Sequence, residues 1–539
     1  MAFTEQEENN VRAMLSAFQN AKRINELPWA TGKLSDMAVP VQDESGETRR
    51  MNLAEAVETA GNPIAGRYWD ETNSSPVAAG YYGSLAALKE LPKKLGLGRY
   101  LVTDDRVRRK LDPADSNRYE DGSPAKLDGT QGQCMWCWNA HYYTTWKEGN
   151  RTIETITFQP IPGKKSVYVP AGGISWLGAG VIDRTDQKLC SVISTDERYR
   201  GGNGSVLSAY TNLADDAPQK TMLGMPATAY PYGGFSTIAR KRGEGWEACW
   251  YVARAVVEYT MRIILGTRHS QSAYNAELDA DGLYQGGLGS GVTNMPNWGD
   301  YNGYYPIVPT SVGLEKGDGI GIVEYSVTKG DGTAVYTAPV PVFFGLVNPF
   351  GHLWGVCGGL VIDVGAEKTR AYVAPSLYAG FSWTDTEGML LAAELPRAEG
   401  YIKKYSTHLL CCLPTEVGAT AATYFADYFY TTPSNPGFRV RLVGGSSYYG
   451  TFAGAFYFFC DLTLFCFQIL IAFFGDQPHL ITFLCQTQIC IVLTQKQTIF
   501  CSGCHHTIWF MTFFCHQIIN QNSNICPVSY THLRAHETG

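Results

Sequence analysis

The sequence predicts an α+β protein, irregular and rich in loops, on three observations. The chain carries 57 Gly and is 13% aromatic, so loops and packed rings both have ample material. Short alternating runs recur from Gln133 onward, as strands do. Helical spacing is convincing at only two places, one near the start and one in the middle.

The first helix begins where Thr4 can cap and Glu7 can reciprocate. Val11, Met14, Leu15 and Phe18 then form one narrow apolar stripe. A helix this short is marginal alone in water. It must therefore dock on its own chain or on copies of itself, and the sequence leaves both open. "QNAKRINELP" leads into an irregular stretch ending near Gly132. After Gln133, "ETITFQPI" (Glu154 to Ile161) and "KSVYVPAG" alternate as strands. Between Gly243 and Thr267, Trp246, Trp250, Ala253, Val257, Met261 and Ile264 recur at helical spacing and predict a buried helix closed at Gly266. Asn275 to Pro309 is a long Gly/Tyr/Asn segment, and loops of that length are functional or packed by their own side chains. "KGDG" occurs twice, and the second copy joins "IGIVEYSV" to "TAVYTAPVPVFF" as a hairpin.

Several function classes drop out. The net charge of -7 gives no electrostatic case for nucleic acid. Cys134, Cys137, Cys190, Cys249, Cys357, Cys411 and Cys412 form an odd, scattered set that suggests no disulfide framework. "CMWC" has redox spacing, but Trp136 and Trp138 mark it as a packed apolar strand. "GDGIG" (Gly317 to Gly321) is followed by no helix and makes no phosphate loop. His352, beside Trp354, has no second His, carboxylate or nucleophile at motif spacing, so it reads as structural. No catalytic residue, metal ligand or cofactor site is expected. "MAFTEQEENN" has no apolar core of a secretory signal, which predicts folding in the cytoplasm.

The chain changes character after Phe459. Of its 15 cysteines eight lie there, with six of the 10 histidines but only Asp461, Asp476, Lys496, Arg534 and Glu537 as charges. "LTLFCFQILIAFF" is too short for a span of ~20 residues. "CSGCHH" imitates a zinc site without a scaffold to hold it. The closing "VSYTHLRAHETG" resembles translated adapter sequence. Residues 460–539 are therefore read as a frameshift- or adapter-derived, non-native tail.

The most informative stretch is "RVRLVGGSSYYGTFAGAFYFF" (Arg439 to Phe459), a buried strand, a Gly-Gly turn and a Tyr/Ser/Gly run. Together with "NPFGHLW", "LPTEVGATAATYFADYFY", "RGEGW", "SQSAYNAELDADGLYQGGLG" and "GDYNGYYP" it resembles retroelement-diversified variable proteins. These have a C-type-lectin-like fold of the formylglycine-generating-enzyme/sulfatase-modifying branch. Within that branch it resembles tail receptor-binding proteins of Bacteroidales phages and prophages. It covers most of Gln133 to Phe459.

The resemblance implies that adenine-directed mutagenesis rewrites the segment after the turn. It makes Ser446, Ser447, Tyr448, Tyr449, Thr451, Phe452, Tyr457 and Phe458 ligand-binding candidates. Tyr, Ser and Gly also dominate antibody loops, for area and adaptability. The family's closing strand after this segment is missing, and "CDLTLFCFQ" stands in its place. The organisation expected is an attachment and linker region over 1–132, a lectin-like ligand-binding domain over 133–459 with the variable segment near 444–459, and the tail.

The implied function is a phage-tail adhesin, made in the bacterial cytoplasm and carried on the virion. Its partners would be a host cell-surface receptor, other tail proteins and further copies of itself in a trimer, with no nucleic acid or membrane. One alternative is a bacterial surface-displayed variable binding protein. A second is a formylglycine-generating-type oxidoreductase, against which Tyr449 and Gly454 stand where that enzyme has cysteines.

Overall fold

Strand outweighs helix by 40% to 12%, so the α+β class expected from the sequence is corrected to mostly β. The physical reason lies in the buried strands. A strand covered on both faces loses the polar alternation by which strands are recognised. Gly454–Phe459 (GAFYFF) is buried at every position and reads as a featureless apolar run. The computed structural model describes residues 38–42, 48–52, 63–177, most of 180–199, 235–290, most of 308–460, and 471–474. The capped helix expected over Thr4 to Phe18 lies outside the described residues.

Three sheets carry most of the architecture. A five-stranded antiparallel sheet runs in the order Val167–Val169, His141–Glu148, Arg151–Thr157, Ala65–Asp70, Gly80–Gly83. A six-stranded sheet runs Trp246–Ala248, Ile471–Phe474, Gly172–Ser175, Gln133–Trp138, Gly98–Val102, Arg108–Lys110. Strands before Gln133 thus pair directly with strands after it. Four residues of the segment read as a tail, Ile471–Phe474, also enter the sheet, with Phe473 opposite both Gly173 and Trp246.

The third sheet has eight strands and is nearly closed into a barrel. Its order is Leu390–Leu395, Thr369–Val373, Gly355–Val364, Gly437–Gly444, Gly454–Phe459, Tyr428–Tyr430, Gly400–Ser406, Leu413–Val417. Tyr428–Tyr430 runs parallel to Gly454–Phe459, and the other pairs are antiparallel. One core cluster joins Val102, Met135 and Cys137 of the six-stranded sheet to Val356, Val440, Leu442, Tyr457 and Phe459 of the eight-stranded one. The hairpin of Gly321–Thr328 and Ala334–Phe343 forms where the sequence placed it.

The central helix spans Tyr251–Leu265, and every one of its 15 residues is buried. It starts later than its apolar spacing suggested, because Trp246–Ala248 is a sheet strand and Trp250 caps the helix in extended conformation. It ends at Gly266 in the left-handed region (φ 65°), as the sequence indicated. Buried charges must be paired. Arg254 meets Glu258 at 3.0 Å, Glu258 meets Arg441 at 2.8 Å, and Arg262 meets Glu154 at 2.7 Å. The Glu258–Arg441 pair ties the helix to the strand that leads into the Gly-Gly turn.

Candidate ligand-binding surface

Gly444 and Gly445 both have positive φ, 84° and 75°, which lets the chain leave its strand abruptly. A Cβ on Gly445 would lie 2.4 Å from the Ala453 Cβ, so the two ends of the loop touch. A short 3-10 turn, Gly450–Phe452, then leads into Gly454–Phe459.

The scaffold grips this loop through main-chain atoms. Gln271 Nε2 donates to the carbonyls of Gly450 (3.0 Å) and Ala453 (2.5 Å). The Ala455 N–H donates to Ser270 Oγ at 2.9 Å, and the Phe456 N–H donates to Asp427 Oδ2 at 2.6 Å. Arg254 donates to the Ala455 carbonyl and Tyr405 Oη to the Phe456 carbonyl. The Gly351 N–H closes the other end on the Gly444 carbonyl at 2.9 Å. Burial pushes the Asp427 carboxyl well above the usual carboxylate range, opposed by the Phe456 N–H and by Arg254.

The sequence-predicted residues divide by exposure. Ser446 is buried and its carbonyl accepts the Tyr449 N–H at 3.0 Å. Ser447 and Tyr448 lie outside the described residues. Tyr449 is half-buried between Trp354 and Tyr457, its ring centroid 5.6 Å from each. Thr451 is exposed, with Oγ1 3.2 Å from Tyr401 Oη. Phe452 is 38% exposed. It stacks on Tyr428 at 4.4 Å and presents its edge relation to Tyr401 at 5.5 Å. Tyr457 and Phe458 are fully buried; Phe458 packs on Phe429 at 5.6 Å, with Arg441 4.9 Å above its ring. Among the described residues of the loop, Tyr449, Thr451 and Phe452 reach the surface, while Ser446, Tyr457 and Phe458 shape the base.

Sequence reasoning assigned no role to Ser270, Gln271, Tyr401, Tyr405, Asp427 or Tyr428. The first two stand in "SQSAYN" and the last two in "FADYFY", motifs that had only marked the resemblance. What they contribute depends on which backbone atoms and rings they meet across the fold, and spacing does not carry that.

The histidine and the thiols that the sequence singled out are buried. His352 is buried, its Nδ1 lies 2.9 Å from Asn348 Oδ1, and burial pushes its pKa down to about 4. Cys134 and Cys137 sit in a fully buried strand, and burial raises both thiols. Burial also pushes Cys357 up to about 11 and Cys412 up to about 12, far from a reactive thiolate. Among the described residues no group of three or more His, Cys, Asp or Glu is arranged to hold a metal ion. No described helix is long and apolar enough to cross a membrane.

A scan against models of known protein families returns no match, and a search of curated proteins returns none.

Proposed function

We propose that the protein is a receptor-binding adhesin of a phage tail, one that presents a diversified loop to the host cell surface. The observation that supports it best is the main-chain grip on residues 450–456. Hydrogen bonds to carbonyls and N–H groups do not depend on side-chain identity. The scaffold can hold this loop in place while Tyr449, Thr451 and Phe452 are exchanged. A rigid body carrying replaceable loop side chains is a recognition device. The resemblance of the same segment to retroelement-diversified tail proteins points the same way. Host receptor, tail partners and self-association remain parts of this proposal.

The test replaces Ser447, Tyr448, Tyr449, Thr451 and Phe452 together with another set, keeping every Gly and Ala. Altered host adhesion with an unchanged melting temperature supports the reading. Unchanged adhesion by a folded variant places recognition elsewhere.

A further inference from the structure

We propose that Tyr401, Tyr428 and Phe452, rimmed by Thr451 and Glu399, form a saccharide-stacking subsite made of two fixed rings and one exchangeable ring. The proposal rests on the adhesin reading and narrows its ligand to a glycan.

Tyr401 and Tyr428 are direct cross-strand partners, from Gly400–Ser406 and Tyr428–Tyr430. Their rings meet edge to face at 5.3 Å and 85°. Phe452 comes from the loop and lies nearly parallel to Tyr428, at 4.4 Å and 28°. It is one of few large apolar side chains exposed among the described residues. Neither tyrosine belongs to the segment after the Gly-Gly turn, so both rings persist whatever that segment becomes.

The rim is polar. Tyr401 Oη and Thr451 Oγ1 face each other at 3.2 Å. The exposed Glu399 carboxylate lies against the Tyr428 hydroxyl. A carboxylate has about four acceptor sites, so Glu399 keeps capacity for further hydroxyl donors.

A pyranose matches this arrangement. One face of the sugar is a patch of C–H bonds, which suits the negative face of an aromatic ring. Its perimeter is hydroxyls, which suit a rim of hydroxyl and carboxylate acceptors. An extended peptide would add to a free strand edge. Here Gly400–Ser406 is paired on both sides, and Tyr428–Tyr430 lies between two partners. The carboxylate at the rim works against an anionic ligand.

Saturation-transfer NMR on the full chain tests it, with methyl glycosides of glucose, galactose, mannose and N-acetylglucosamine as probes. At least one should receive saturation at its ring C–H protons. Tyr401→Ala should weaken that glycoside about tenfold, equivalent to ~1.4 kcal/mol. Glu399→Gln, an exposed change that leaves packing intact, should weaken it several-fold without shifting the melting temperature. Leu391→Ser, at an exposed apolar residue on another strand, should have no effect. No transfer to any glycoside overturns the subsite. So does transfer that survives both Glu399→Gln and a folded Tyr401→Ala, or selective binding of a Tyr-rich peptide in place of the sugars. If the sugars fail while the loop replacement still redirects host adhesion, the adhesin reading stands and only the glycan assignment falls.

Discussion

The carboxyl group of Asp427 accepts the main-chain N–H of Phe456 at 2.6 Å, beneath the loop that carries the candidate contact residues. Both residues are fully buried, so this bond links the loop's return strand to the interior without using a loop side chain. Removing the acceptor strands a buried donor. Asp427→Ala should destabilise the protein by ~1–3 kcal/mol, and Asp427→Asn, which restores an acceptor, should recover most of that. Urea denaturation of the two variants makes the comparison. Equal losses would show that the bond to Phe456 contributes little.

Two aromatic residues of the same segment should respond oppositely to truncation. Phe458 is fully buried and Phe452 is 38% exposed. Phe458→Ala should cost ~3–5 kcal/mol, as other buried phenylalanines do. Phe452→Ala should stay within about 1 kcal/mol of the parent in stability and show its effect in ligand binding instead. Chemical denaturation alongside a binding assay separates the two roles. A large stability loss in Phe452→Ala would mark its ring as part of the packing.

Asp318 should impose a pH dependence on stability. Burial pushes its carboxyl up to about 6, opposed by the Arg99 N–H that donates to it at 2.8 Å. Its folded value lies above its ordinary value of 3.8, so the native chain holds a proton that the unfolded chain releases. This contribution is fully present below 3.8 and is lost as pH rises through about 6. Asp318→Asn removes the titration, so melting temperatures measured from below pH 4 to above pH 6 should fall less steeply than in the parent. A parallel fall would assign the pH dependence to other groups.

Local rules made part of this molecule legible. The hairpin around the second "KGDG", the packed strand at Cys134 and Cys137 and the helix stop at Gly266 were each readable from turn chemistry, apolar content or a positive-φ glycine. The class was not, because doubly buried strands such as GAFYFF offer no alternation to detect. Trp246 illustrates the same failure from the other side. Its spacing from Trp250 suits a helix, yet its backbone pairs as a strand with Phe473, a contact that no local pattern encodes. Within the site the sequence marked the loop as a unit. It could not separate Tyr457, which points into the core cluster, from Tyr449 near the surface. That division follows from register: Gly444 pairs with Gly454, while Val443 pairs with Phe458.

The close approach of Gly445 to Ala453 has a consequence at the level of the genetic code. Under the proposed reading, new side chains arise by substitution at adenines. Glycine codons begin GG and alanine codons begin GC, so neither has an adenine at a position that specifies the residue. Any change at the third base of either is silent. Where the template also carries glycine and alanine codons at Gly444, Gly445, Gly450, Ala453, Gly454 and Ala455, which shape the turn and supply many of its main-chain contacts, such mutagenesis leaves these residues unchanged. Serine and tyrosine positions whose template codons contain adenine stay open to it. With such a template, the bases that encode the hinge would protect it without any selection for fold, and each newly written loop would inherit the same turn residues.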